Sequence, residues 1–160
     1  MVYDASPAAE RDNDTGSRHP RRVIVVGVDG SSTSWDAFAW AAGAAARGNS
    51  GLVVVHVVPL GDPAAAFGVP VDHAGIETTR QEIAQELQTE AERLANELGV
   101  DISFVIERGD VSRAVTTVAK ELNAELVVVG RSAKAMHHIA GSLSHRLTSR
   151  NDAPVVVVVP

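Results

Sequence analysis

Five short apolar segments rich in β-branched residues recur along the chain. They are Val23–Val28, Leu52–Val58, Asp101–Glu107, Glu125–Val129 and Val155–Val159. Continuous apolar runs of this length are typical of strands that are buried on both faces of a parallel sheet. The chain is therefore expected to build its core around a sheet that is covered on both sides.

The intervals between these segments carry helix signals. Ser31–Ser34 offers N-cap hydroxyls ahead of a helix over Trp35–Arg47, and Asp110 precedes a third helix with one apolar face. Gly99 is expected to end a long second helix, and a fourth helix is expected to follow Ser142. The apolar stripe predicted for the second helix consists of Ile76, Ile83, Leu87, Leu94 and Leu98.

The regular alternation of strand and helix predicts an α/β fold with right-handed crossovers. The expected architecture is an open, doubly wound, five-stranded parallel sheet of order 3-2-1-4-5, with helices on both faces. Residues 21–160 are assigned to this one domain. Residues 1–20 are polar and lack an apolar period, which predicts a disordered N-terminal tail or, as an alternative, a regulatory or partner-binding arm.

Composition excludes several classes of function. The net charge of -6 argues against a nucleic-acid-binding surface and against binding to anionic membranes. The absence of cysteine excludes disulfides, thiolate nucleophiles and cysteine-ligated metals. The apolar runs are too short to span a bilayer and no secretory signal is visible, so a cytoplasmic location is expected.

The predicted sheet order indicates that a ligand site lies at the carboxyl ends of the strands. Ligands of doubly wound sheets bind beyond the carboxyl ends of the strands, where the strand order reverses, here between strands 1 and 4. Asp29 follows strand 1, and its carboxylate suits a ribose hydroxyl, a base amino group or a phosphate-bound Mg²⁺. The loop Gly130–Ser144 follows strand 4 and leads into a helix start, which favours phosphate. The alternative is structural: Asp29 only organises its turn and Ser142 only caps a helix.

Several motifs along the chain carry a family resemblance. In order they are Val28-Asp29-Gly30-Ser31, Gly109-Asp110, Val128-Val129-Gly130, Gly141-Ser142 and the closing strand Pro154–Val159. In this set and order the sequence resembles the universal stress protein family from Arg22 to Pro160. The resemblance implies a regulatory protein of the stress response that binds an adenine nucleotide, with ATP first and AMP or cyclic AMP as further candidates. Mg²⁺ would be bound only with the nucleotide, through Asp29.

The resemblance also implies a set of nucleotide-binding residues. They are Val28, Asp29, Val57, Gly130, Arg131, Gly141, Ser142, Leu143 and Ser144. The sequence departs from the family's ATP-binding members at Ala133, where they carry glycine, and in the shorter stretch Lys134–Ala140. These departures leave two alternatives open: a stress or interaction protein with a vestigial pocket that binds no nucleotide, or a weak ATPase.

The motifs of several other functional classes are absent from the sequence. The chain has no Walker Gly-Lys-Ser/Thr, no GxGxxG fingerprint and no GxSxG elbow, and no base adjoins a nucleophile, so no dedicated catalytic residues are predicted. No metal site is expected, since adjacent His137 and His138 would point apart on a helix. His56 is assigned to the core or to the end of a strand, and Trp35 and Trp40 are expected to pack the first helix on the sheet. The apolar edge strand Val155–Val159 predicts a homodimer, as the family resemblance also implies.

Overall fold

A computed structural model describes residues 22–61, 67–68, 70, 72–131 and 154–160. These residues form five strands and three helices. In chain order they are β1 (Val23–Gly27), α1 (Ser32–Gly48), β2 (Gly51–Val58), α2 (His73–Leu98), β3 (Ile102–Arg108), α3 (Val111–Glu121), β4 (Leu126–Gly130) and β5 (Val155–Val159). The predicted N-terminal tail and the helix predicted after Ser142 lie outside the described residues.

The five strands form a single parallel sheet of order β3-β2-β1-β4-β5, which confirms the fold expected from the sequence. Val25 of β1 lies opposite Val53 of β2 on one side and Val127 of β4 on the other. The chain moves outward from β1 in one direction through β2 and β3, then returns to the other side through β4 and β5. The carboxyl ends of β1 and β4 therefore flank the point where the strand order reverses.

The sheet is buried between two apolar layers because alternate residues of each strand point to opposite faces. On one face, Ile24, Val26 and Val128 pack with Phe38 of α1 in a cluster that also includes α2. On the other face, the cluster contains the valines of the opposite strand parity and the apolar side of α3. Its largest fully buried members are Val25, Val55, Val115, Val127 and Val129.

Local capping signals define where the helices begin and end. Ser31, Asp72 and Asp110 are the N-caps of α1, α2 and α3, and each side chain accepts a hydrogen bond from the backbone N–H three residues later. Gly99 ends α2 in a left-handed conformation with φ of 65°, as predicted. At the end of α1 the left-handed position belongs to Asn49, a residue that tolerates this conformation better than most others.

Two packing expectations are wrong in part. Of the predicted stripe of α2, Leu87 is buried and Leu94 packs on the core, but Ile83 and Leu98 are half exposed. The other buried residues of α2 are Ala84, Ala91 and Ala95. Small side chains allow the helix to approach the sheet closely, so the alanine side turns inward and the bulkier residues lie at its margin. In α1, Trp35 packs edge-to-face on Phe38 with ring centroids 5.9 Å apart, but Trp40 is 41% exposed and does not pack α1 on the sheet.

Candidate functional site

The turn between β1 and α1 is held by a set of short-range hydrogen bonds. Ser31 donates to Asp29 Oδ1 from its backbone N–H at 3.0 Å and from its hydroxyl at 2.6 Å. The Ser31 hydroxyl oxygen in turn accepts from the N–H of Ser34 at 3.2 Å, and the N–H of Asp29 donates to Ser34 Oγ at 3.3 Å. The turn is thereby fixed by residues that are all within five positions of one another.

The Asp29 carboxylate is exposed at this turn and stays ionised. Its partial desolvation would raise the pKa, but the hydrogen bonds with Ser31 and Ser34 outweigh that effect and hold the pKa below the usual aspartate value. Both bonds from Ser31 end on Oδ1. The Ser34 hydroxyl lies close to the carboxylate but donates its proton to the carbonyl oxygen of Ser31. Among the described residues the hydrogen bonds to the carboxylate are therefore those on Oδ1, and Oδ2 can accept a donor from a ligand.

His56 secures the last peptide of this segment. The regular pairing of β1 with β2 ends at Gly27 opposite Val55, and one further backbone bond joins the N–H of Val28 to Val55 at 2.9 Å. The carbonyl oxygen of Val28 then lies 3.0 Å from Nδ1 of the buried His56. A carbonyl can only accept, so Nδ1 carries the proton. The imidazole thus orients the peptide that leads into Asp29, and His56 is a core residue as predicted.

The end of β4 touches the start of α1 without any intervening side chain. A Cβ atom on Gly130 would lie 2.3 Å from the carbonyl oxygen of Thr33 and 2.8 Å from the nitrogen of Ser34. Both distances are far below a normal contact and both neighbours are backbone atoms, which cannot rotate away. Gly130 is therefore required by packing, independently of any ligand that it contacts.

Arg131 is held on two sides by its backbone. Its N–H donates to the carbonyl oxygen of Val159 in β5 at 2.7 Å, and its own carbonyl accepts the hydroxyl of Thr33 at 2.9 Å. Sequence reasoning considered Thr33 only as a possible helix cap and missed this contact. The signal that could have found it is the expected strand order, which already placed the start of α1 beside the end of β4.

A family model described as the universal stress protein family matches residues 20–159. The chain belongs to the universal stress protein family. A universal stress protein of Mycobacterium tuberculosis is 35% identical over 141 residues, covering 84% of this chain and 47% of that protein. This chain spans about half the length of the mycobacterial relatives that it matches.

Solved structures of universal stress proteins share the fold. One of them, a universal stress protein in complex with cAMP, has a TM-score of 0.67 at 23% sequence identity. The match covers 87% of this chain and 97% of that protein's chain. Another, from Archaeoglobus fulgidus in complex with dAMP, has a TM-score of 0.61 at 20% identity and covers 88% and 98%. At these identities the likeness establishes the architecture and says nothing of which residues bind a ligand here.

The nucleotide-binding residues expected for a universal stress protein divide into three groups. Asp29, Gly130 and Arg131 lie on the two strand ends that are joined through Thr33. Val28 and Val57 are both buried, but they belong to the clusters on opposite faces of the sheet, so their side chains do not meet. Gly141, Ser142, Leu143 and Ser144 lie outside the described residues, as do Ala133, Lys134, His137 and His138.

Two further features bear on the function of this universal stress protein. Within the described ranges no group of three or more acidic or histidine side chains is arranged to hold a metal ion. His56 is engaged with Val28, and His73 is exposed at the start of α2. None of the three helices described above is long and apolar enough to cross a membrane.

Proposed function

We propose that this universal stress protein binds an adenine nucleotide in the crevice between the ends of β1 and β4, and acts as a binding protein in the stress response. The observation that carries the proposal is the ionised Asp29 carboxylate, which is fixed through Oδ1 and has Oδ2 directed to no partner among the described residues. The family, together with the cAMP and dAMP complexes of two structural neighbours, supports an adenine nucleotide as the ligand class.

In this proposal Asp29 Oδ2 accepts a hydroxyl of the ribose, because a fixed carboxylate attracts a neutral donor and repels a bare phosphate. Gly130 and Arg131 lie under the ribose and the phosphates. Gly141, Ser142, Leu143 and Ser144 hold the phosphates through backbone N–H groups and hydroxyls, a role that rests on the family resemblance alone. ATP is proposed as the main ligand, with Mg²⁺ entering only as the Mg-nucleotide.

Isothermal titration of the purified chain tests this assignment. ATP with Mg²⁺, AMP and cyclic AMP are titrated separately into the wild type and into Asp29→Asn, which keeps an acceptor for Ser31 but removes the charge. A hydrogen bond to a charged group contributes about 1.5–3 kcal/mol, so the variant should bind roughly ten- to a hundredfold more weakly. Asp101→Asn is the matched control, because Asp101 is an exposed aspartate ahead of β3 and its loss changes the net charge equally.

The results separate the alternatives. If no heat of binding is measured with any nucleotide, the nucleotide proposal is refuted, and the alternative of an interaction protein with a vestigial pocket is favoured. Equal affinities for the wild type and Asp29→Asn would remove Asp29 from the site. Phosphate release from ATP that falls in Asp29→Asn but not in Asp101→Asn would favour a weak ATPase with Mg²⁺ bound at Asp29.

We also propose that two copies of the chain pair through β5. This strand forms one edge of the sheet and consists of five valines, of which Val155 is 67% and Val158 is 39% exposed. Uncharged edges of this kind pair readily with another strand.

Sedimentation equilibrium of the wild type and Val158→Lys tests the pairing. The lysine puts a charge on the exposed edge, which should shift the mass from two chains towards one. Ile106→Lys is the control, since Ile106 is similarly exposed but lies on β3 at the opposite edge. A wild-type mass of one chain at micromolar concentration, or dissociation by Ile106→Lys alone, would contradict pairing through β5.

A further inference from the structure

The hydroxyl of Thr33 lies between the two halves of the crevice. Thr33 is in the first turn of α1 and is half-buried, and its hydroxyl reaches Arg131, which is 98 positions later in the chain. We infer that Thr33 is a positioning residue: it fastens the end of β4 to the start of α1, and so sets where Gly130 and Arg131 lie relative to Asp29. The nucleotide part of this inference rests on the proposed function.

The direction of each hydroxyl proton follows from its partners. The carbonyl of Arg131 can only accept, so Thr33 donates its single proton there. Ser31 donates its proton to the Asp29 carboxylate, which also can only accept. The two hydroxyl oxygens are 3.3 Å apart, but neither has a proton left for the other. The two hydroxyls therefore donate to opposite strand ends. Ser31 donates to Asp29 after β1, and Thr33 donates to Arg131 after β4.

The contact with Thr33 holds the carbonyl of a residue whose N–H is already bound on the other side. The N–H of Arg131 is bound to β5 through Val159, and Gly130 lets the backbone of β4 approach the backbone of Thr33 directly. Loss of the Thr33 hydroxyl would leave β5 as the hydrogen-bonded support of Arg131 and would leave the Arg131 carbonyl without this donor. The end of β4 would then move more freely against α1.

This freedom has a consequence for binding. The proposed function places Asp29 at the ribose and puts Gly130 and Arg131 under the ribose and the phosphates. A ligand that contacts both strand ends gains affinity when the two are held in register before it binds, because less ordering is needed on association. Thr33 should therefore affect affinity without touching the nucleotide.

The test uses three variants of the full chain. Thr33→Val keeps the shape and removes the hydroxyl, whereas Thr33→Ser keeps the hydroxyl and should restore wild-type behaviour. Thr89→Val is the matched control, because its hydroxyl also donates to a backbone carbonyl at 2.9 Å, but within α2 and away from the crevice. Each variant is examined without ligand by amide hydrogen exchange at Arg131, and then by titration with ATP and Mg²⁺ and with AMP.

Loss of one hydrogen bond of ordinary strength changes an equilibrium by roughly two- to tenfold. Thr33→Val should therefore exchange the Arg131 amide about fivefold faster and bind nucleotide about fivefold more weakly, and the other two variants should match the wild type. Unchanged exchange in Thr33→Val overturns the inference, whether or not the wild type binds nucleotide. Unchanged affinity despite faster exchange also overturns it. Faster exchange in a protein whose wild type binds no nucleotide refutes the proposed function and leaves the fastening role of Thr33 intact.

Discussion

The two strand ends that face each other across the crevice are held in different ways. The end of β1 is fixed by Asp29, Ser31 and Ser34, whose mutual hydrogen bonds span at most five residues. The end of β4 is fixed by Gly130 and Arg131, whose partners lie in α1 and β5, far away in the sequence. Beyond Val28, which is bound to β2, the turn on one side is closed by local bonds, whereas the other side exists only when three separate elements have assembled.

This difference has a physical consequence. Short-range bonds close small loops and cost little chain entropy, so the turn after β1 can persist when the rest of the domain loosens. The contacts at Gly130 and Arg131 depend on the packing of α1 and β5 and are lost together with it. Perturbations of the β4 end should therefore cost more than comparable perturbations of the β1 end.

The largest effect is expected from Gly130→Ala. The new Cβ would overlap backbone atoms of Thr33 and Ser34, so α1 or β4 must move, and the free energy of unfolding should fall by about 3 kcal/mol. Gly27→Ala is the control, because a Cβ at that position in β1 meets only Val129 Cγ1 at an ordinary 3.6 Å. Urea denaturation measures both variants, and equal midpoints would mean that the two strand ends are not constrained differently.

A smaller effect is expected from Ser31→Ala on the β1 side. This change removes the N-cap of α1 and one of the two bonds to Asp29 Oδ1, so the free energy of unfolding should fall by about 1 kcal/mol. Ser32→Ala, at the exposed first residue of α1, should change stability much less. A loss for Ser31→Ala that equals or exceeds that of Gly130→Ala would reverse the ranking of the two ends.

The smallest effect is a pH dependence on the β1 side. The pKa of Asp29 is lower in the folded chain than in the unfolded chain, because the hydrogen bonds of its turn favour the ionised form. Ionised Asp29 therefore contributes stability above its unfolded pKa, and this contribution is lost as the pH falls through the folded pKa. Thermal melts of the wild type and Asp29→Asn should differ most near neutral pH, and the difference should shrink as the pH falls towards and through the folded pKa of Asp29.

The comparison of the wild type with Asp29→Asn also cancels the pH dependence that other carboxylates contribute. The pKa values of Glu77 and Glu90 are also lowered, by hydrogen bonds from Arg108 and Arg93, but both groups are present in the wild type and the variant and cancel in the difference. A melting difference that is constant or that widens on acidification would contradict the hydrogen-bonded state of Asp29.

The sequence predicts those parts of the molecule that depend on neighbours along the chain. The valine-rich strands, the cap at Asp110 and the glycine that ends α2 all follow from local chemistry, and the alternation of elements was sufficient for the strand order. The sequence also predicts Asp29 as a site residue, because Asp29 follows β1 and ligands of doubly wound sheets bind at the carboxyl ends of such strands. These features need no knowledge of what packs against them.

Features that depend on distant partners were missed or misjudged. The apolar spacing of α2 predicts an inward side of large residues, but three of its four buried residues are Ala84, Ala91 and Ala95, beside Leu87. The family resemblance predicts Gly130 at the site, but the sequence does not show that a Cβ there would overlap the backbone of Thr33. Neither fact is contained in spacing or composition, because each requires the separation between two elements in space.

The imidazole of His56 can report on the conformation of the chain at the end of β1. Its Nδ1 proton is committed to the carbonyl that leads into Asp29, so its tautomer is linked to the geometry of that one peptide. Nitrogen chemical shifts of a single ring can therefore follow the end of β1 in solution. They would register ligand-induced movement of the turn without any label placed in the crevice itself.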